Sequence, residues 1–515
     1  MMRRNVVMPV ICLGVCMGAA NAQFGRGVGD WITNGADAQR SSWIRTDAKI
    51  SSESLQKPGF EFLWKLKLDA NAKQSFAPPV LLNSYIGYRG FRSLAFVGVT
   101  SNKVVGIDTD LGKIEWQKQL PGDGASSACD GLMTSLTRPA TAAFPGAGGG
   151  GGGLGGRSGP AKSAVGAPDE GSVILQQVAA QAAAQRGRPA GPGMPPGGFQ
   201  RMPSVVHTLS SDGMLNSLFV SNGESSQPPV RFLPGNAIAL GLIVIDNVAY
   251  AAVSPGCGVA PDAVMAVHLT SKEAATWKPD SGSIAGSAGP AIGPDGTLYV
   301  ATTGGELVAL EPKTLKLKIA YKTGQPFTSS PVIFEFKDKV LIAAATKDGR
   351  VLLLDSKALD RPAAISDAVN FNSGALASWQ DSSGARWILG TSSNAIVALK
   401  VVDQNGAPAL HAGWSSRDIA SPAAPLVVNG VVFTASPRVL YALDATSGKE
   451  LWNSGKAITG AIRGGGLSVG NSQVYLATND GTFYAFGFPI EHYRGLCGAD
   501  ARVRGRPPGR LFGFG

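Results

Sequence analysis

The stretch V439-LYALDATSGKELW-452 begins as an apolar strand, breaks at Asp444, turns at Ser447-Gly448 and ends on Trp452. A second copy, VVGIDTDLGKIEW at 104–116, places Asp108, Gly112 and Trp116 at the same mutual spacings. Degraded copies keep the beat at VMAVHL, LVALEP, VLLLDS, IVALKV and FYAFGF. Taking the equivalent of Asp444 as a marker, His268, Glu311, Asp355, Lys400, Asp444 and Gly487 follow one another at steps of 43 to 45 residues. A period of that length is the signature of propeller blades or another stacked array.

The best copy defines the unit. In GPAIGPDGTLYVATTGGELVALEPKTLKLKIAYKTG (289–324), a short small-residue strand precedes an Asp-Gly turn. TLYVATT, a Gly-Gly turn, ELVALE, a four-residue turn and KLKIAY follow. Four short strands joined by tight turns make one antiparallel sheet, hence one blade. Copies fall at about 77–120, 129–233, 237–279, 287–324, 327–366, 375–419, 420–458 and 460–493. The last stops before its fourth strand, and FEFLWKLKL (60–68), with Trp64, supplies a candidate from the other end of the chain. Pairing it there closes the ring and covers both sheet edges, which otherwise invite aggregation. The expected fold is all-β: an eight-bladed propeller of four-stranded antiparallel blades over 60–493, closed by an N-terminal strand and preceded by a lead-in segment, 23–59.

Composition agrees with a folded chain: 44% apolar and 16% charged, with 68 Gly and 33 Pro among 515 residues. The N-terminus has Arg3 and Arg4, an apolar run from about Val6 to Met17, and Ala20 and Ala22 before Gln23. That pattern predicts a secretory signal peptide, residues 1–22, too short to span a membrane. The mature protein is thus expected in the periplasm or outside the cell. LGVC at 13–16 faintly resembles a lipoprotein cleavage box, but Val15 fits it poorly. Export leaves Cys129, Cys257 and Cys497, too few for a disulfide scaffold.

Residues 145–203 interrupt the second copy with a Gly/Pro-rich run that cannot bury enough apolar surface to order itself, around a helix candidate at Val173–Arg186. That helix could dock on a partner, or the loop could simply tolerate expansion. Much of the net charge of +10 sits on a basic tail, 494–515, with five arginines. Contact with an anionic envelope surface and a solvated terminus both remain open. No basic-aromatic interleaving points to nucleic acid.

The repeat ALDATSGKELW resembles the quinoprotein-type propeller repeat of pyrroloquinoline-quinone (PQQ) dehydrogenases and their non-catalytic relatives. WITNGADAQRSSWIRTDAKI (31–50) resembles the segment leading into their first blade. Read physically, Asp444 and Asp108 accept hydrogen bonds within their own turns, Gly448 and Gly112 supply turn conformation and a flat surface, and Trp452, Trp116 and Trp64 stack between blades. The resemblance implies that a catalytic member would carry an adjacent Cys-Cys pair with Glu, Asn and Asp for calcium and base chemistry. This chain has no Cys-Cys dipeptide, and Asp108, Asp295, Asp348 and Asp480 fall on turns. His207, His268, His411 and His492 lack metal-ligand spacing, LCGADA (496–501) is no haem motif, and the glycine run lacks the Lys-Ser/Thr of a phosphate loop.

Arg138 and Arg463 sit on or near expected inner strands, where each would contact an anion or partner in the channel, or serve as a hydrogen-bonded structural arginine. No catalytic residue, metal or cofactor is expected. The resemblance extends to propeller lipoproteins that assist outer-membrane protein assembly, which implies an exported scaffold holding a protein partner. The alternative it implies is a PQQ- and calcium-dependent dehydrogenase.

Overall fold

In a computed structural model of the chain, the described residues are 29–69, 76–87, 90–99, 101–122, 135–145, 204–254, 260–462 and 466–489. The calls on the signal peptide, on residues 146–203 of the insertion, on the tail, and on Arg463, Cys129, Cys257, Cys497 and His492 lie outside them. The described residues form eight separate sheets, each with four consecutive or ring-closing strands. The expected eight-bladed propeller is the fold.

Blade 4 shows why the repeat reads as it does. Its strands are Ala291–Ile292, Leu298–Ala301, Glu306–Leu310 and Leu317–Lys322, innermost to outermost. The middle two are buried at every position, because neighbouring blades cover both faces of the sheet. Such strands carry continuous apolar runs instead of alternation. The outermost strand is exposed at its first three positions, and there lysine alternates with apolar residues, Leu317-Lys318-Ile319.

Ring closure occurs as the sequence predicts. In blade 8, Glu61–Lys67 pairs antiparallel with Thr482–Gly487, with Trp64 opposite Ala485. The ring is therefore fastened by strand pairing between its two chain ends. Two blades carry an addition that the four-strand unit does not predict. Pro139–Ala140 and Trp43–Ile44 each add a short parallel strand inside blades 3 and 7.

The tryptophans fasten blade to blade by one repeated contact. Trp64 of blade 8 donates from Nε1 to Thr109 O at 3.2 Å and lies against Gly112 of blade 1. Trp116 of blade 1 donates to Val220 O at 2.9 Å and lies against Gly223 of blade 2. Trp414 of blade 6 donates to Ala445 O at 3.0 Å and lies against Gly448 of blade 7. In each case the accepting carbonyl is three residues before the glycine. A Cβ on any of these glycines would fall within 2.3 to 2.6 Å of the indole, so only glycine admits the ring.

Trp452 departs from the pattern for a topological reason. The next turn in that position does not exist, because blade 8 takes its fourth strand from the N-terminus. Trp452 instead meets Phe60 edge-on at 4.8 Å between ring centroids and Phe486 at 5.8 Å. It still joins blades 7 and 8, through an aromatic cluster that Phe488 extends.

Turn chemistry also follows the sequence. Asp444 Oδ1 accepts from the backbone and hydroxyls of Thr446 and Ser447. Partial burial raises its pKa, but these bonds and one from Ser52 outweigh that and hold the carboxyl below its ordinary range. Asp108 accepts from the backbone of Asp110 and Leu111. In the degraded copy at 268 a histidine does the same work, its Nδ1 accepting from the backbone of Thr270 and Ser271.

Candidate functional site

The site to examine in a propeller is its central channel, where the inner strands converge. Here the channel is threaded by the lead-in segment itself. In sequence order, Trp31 O accepts from Leu81 N of blade 1, Ile32 O from Arg138 N of blade 2, and Thr33 Oγ1 donates to Leu242 O of blade 3. Ala38 O, Gln39 O, Ser41 O and Ser42 O then accept from Ile292, Ile333, Ser378 and Val427 of blades 4 to 7. Asp47 completes the circuit by accepting from Ser472 of blade 8. A segment that the sequence assigns to entry into the first blade is thus an axle bonded to all eight.

Its side chains are correspondingly enclosed. Ala36, Ala38, Gln39 and Arg40 are each 1% exposed. Arg40 donates from Nε to Pro290 O at 2.8 Å, from Nη1 to Thr33 Oγ1 and Asn34 O, and from Nη2 to Gly241 O at 2.6 Å. Burial depresses its pKa to about 10, which leaves it cationic at neutral pH. Asp37, also buried, accepts from Ser41, and burial pushes its carboxyl up.

Of the two candidate channel cations, Arg138 is described. Its Nη1 pairs with Asp30 and donates to Leu81 O at 3.2 Å, while its Nε is buried with no partner. Its charge is thus already met by the axle. Sequence reasoning passed over Arg386 and Arg45, which come together near the end of the channel; only the topology places residues so distant in sequence side by side.

At the opposite end of the channel, loops of blades 4, 5 and 6 touch. Gly374 O accepts from Ser287 N at 2.9 Å and from Ser330 N at 3.1 Å, and Ser330 Oγ accepts from Ala288 N. The donors there are hydroxyls and peptide groups. Among the described residues no three His, Cys, Asp or Glu side chains gather to hold a metal ion. This donor set, without a carboxylate among the described residues, does not fit calcium with PQQ.

The histidines remain dispersed. His207 is 4% exposed, with Nδ1 2.9 Å from Ser217 Oγ, which Gln227 also contacts. The pair is too enclosed to meet a substrate. Burial lowers the His207 pKa from 6.5 to about 4. The unfolded chain therefore takes up a proton near pH 6.5 and the folded chain only near pH 4. Stability is full above 6.5 and is lost as pH falls through that window, by about 3 kcal/mol for such a shift. Urea unfolding at pH 7 and pH 4.5 should show the slope, and His207→Gln should reduce it. An unchanged slope in the variant would refute the assignment.

The geometry defines an eight-bladed propeller with an internal axle, and part of the chain matches a PQQ-like repeat family. The family model described as "Outer membrane protein assembly factor BamB" matches residues 266–488, the run from blade 3 to blade 8. No curated protein matches the sequence. Among solved structures, the quinohemoprotein alcohol dehydrogenase from Comamonas testosteroni superposes with a TM-score of 0.57 at 13% identity, covering 96% of this chain and 84% of that one. A europium-containing methanol dehydrogenase gives 0.54 at 11% identity, covering 90% and 99%. BamB from Moraxella catarrhalis gives 0.46 at 14% identity over 84% and 99%, a superposition too loose to argue from. At these identities the structures speak for the fold alone. No helix among the described residues is long and apolar enough to cross a membrane.

Proposed function

We propose that this chain is an exported, non-catalytic propeller that holds a protein partner in the cell envelope, in the manner of an outer-membrane assembly factor, and that it works without cofactor or metal. The observation that carries the reading is the axle: the channel is filled by Trp31–Ser42, and the acidic residues of the repeat are spent on their own turns. The match of residues 266–488 to the assembly-factor model supports it. A propeller whose interior is committed to its own chain has its rim and loops left for recognition, and fold alone does not select among scaffold roles.

The alternative, a PQQ- and calcium-dependent dehydrogenase, is tested directly. The purified mature protein is titrated with PQQ, with and without calcium, by tryptophan fluorescence, followed by dye-linked alcohol oxidation. No saturable quench and no turnover are expected. Calcium-dependent binding with turnover would make the chain an enzyme. In parallel, crosslinking in the native envelope should give a discrete adduct with one protein, and recovery of the chain without any adduct would count against the scaffold reading.

A further inference from the structure

Near the channel end toward which the first strand of blade 5 (Val332–Phe336) runs, a pocket of about 260 Å³, counting its open mouth, lies between blade 5, blade 6 and the axle. Arg386, at the start of the strand Arg386–Thr391, is 6% exposed. Its guanidinium carbon lies 5.4 Å from the ring centroids of both Trp43 and Phe334, and its Nη2 donates to Glu335 O at 3.0 Å. Its Nε is buried with no hydrogen-bond partner. Arg45 lies over Trp43 at 4.4 Å, so one indole contacts two guanidinium groups.

No carboxylate stands within 4 Å of either cation among the described residues. The acids that face the pocket are Glu335, exposed at its edge, and Asp37, buried and bonded to Ser41. Glu335 attracts both arginines at longer range, and Asp37 attracts Arg45. Burial, and for Arg386 the neighbouring charge of Arg45, press the two pKa values down, that of Arg386 to about 10. A buried arginine with an open donor beside a like charge is costly unless an anion completes it. Gln39 adds a second open group. Its Nε2 donates to Ala142 O and Ile292 O, which fixes the amide orientation, and its Oε1 is buried without a donor.

We propose that this pocket binds a single carboxylate group borne on an apolar or aromatic body. The enclosed part of the pocket admits little more than one small polar group, so the carboxylate enters beside Arg386 and Arg45 while its carrier stays in the open mouth against the exposed Pro145, because the rings of Trp43 and Phe334 are buried beneath the two guanidinium groups. A neighbouring N–H or O–H on the carrier would meet Gln39 Oε1. Both a free aromatic acid and a peptide carboxyl offer this chemistry. The site is distinct from the loop-lined opposite end of the channel and does not depend on the scaffold reading.

The test is calorimetric titration of the full mature protein with benzoate, with benzamide, and with a short peptide bearing a C-terminal phenylalanine, as free acid and as amide. Either free acid should bind, and its amide should bind at least about tenfold more weakly. Arg45→Gln, a partly exposed position whose change should leave the fold intact by near-ultraviolet circular dichroism, should weaken the acid by a similar factor. Arg386→Lys keeps the charge but not the fork and should also weaken it. Binding of benzoate alone identifies a free small acid, and binding of the peptide alone a protein terminus. Equal affinity for acid and amide, equal affinity in Arg45→Gln, or no binding of either acid at millimolar concentration would overturn the proposal.

Discussion

Arg40→Ala is expected to cost about 3–5 kcal/mol, one of the largest losses available to a single substitution in this chain. The side chain is 1% exposed and donates to Pro290 O of blade 4, Gly241 O of blade 3, and two groups of the axle. Truncation leaves those carbonyls buried without donors and opens a cavity where blades 3 and 4 meet the axle. Packing alone would predict a smaller loss. Arg40→Lys separates the contributions: it retains the cation but cannot reach four acceptors from one planar fork, so it should recover less than half of the lost stability. The measurement is the urea midpoint of both variants against wild type at pH 7. A loss under about 1 kcal/mol in Arg40→Ala would show that the axle is a passenger and not a fastening.

The ring was legible in the sequence because its signals are local. A turn needs its Asp and Gly within five residues, and a strand buried on both faces shows itself as an apolar run, so Asp444, Gly448 and the blade at 289–324 could be read directly. The closing strand was legible by bookkeeping, since blade 8 lacked a fourth strand and 60–68 had no blade. The inter-blade stacking was legible in kind but not in every residue. Trp452 was assigned to a glycine surface that ring closure removes, while Trp414, which occupies the surface of Gly448, lay in a copy that carries Lys400 in place of the marker Asp, so the motif did not single it out. The axle was misplaced because nothing in WITNGADAQRSSW distinguishes a segment that enters a ring from one that threads it. That difference lies in hydrogen bonds to residues two hundred or more positions away, such as Thr33 to Leu242 and Arg40 to Pro290. The pair Arg45 and Arg386 was invisible for the same reason.

Trp64 ties the closing strand to blade 1, and the expected cost of Trp64→Ala is about 3 kcal/mol, somewhat below that of a fully enclosed tryptophan. The residue belongs to the strand that joins the two ends of the chain, and its indole reaches past blade 8 to Thr109 O and Gly112 of blade 1. Gly112→Ala should be destabilising on its own, because the position has φ of +61° and its new Cβ would lie 2.6 Å from the indole. If both losses arise from one contact, they cannot add. Once the indole is gone, the alanine meets empty space, and only its backbone strain of about 1 kcal/mol remains. The double variant should therefore lose at least about 1 kcal/mol less than the sum of the single variants. Additivity within about 0.5 kcal/mol would refute the shared contact. Weakening this junction should also uncover the edge of Thr482–Gly487, an aromatic strand otherwise fully buried, and light scattering of Trp64→Ala should rise with protein concentration well below the unfolding midpoint. A variant that loses stability yet stays monodisperse would mean that Glu61–Lys67 holds its place by backbone pairing alone.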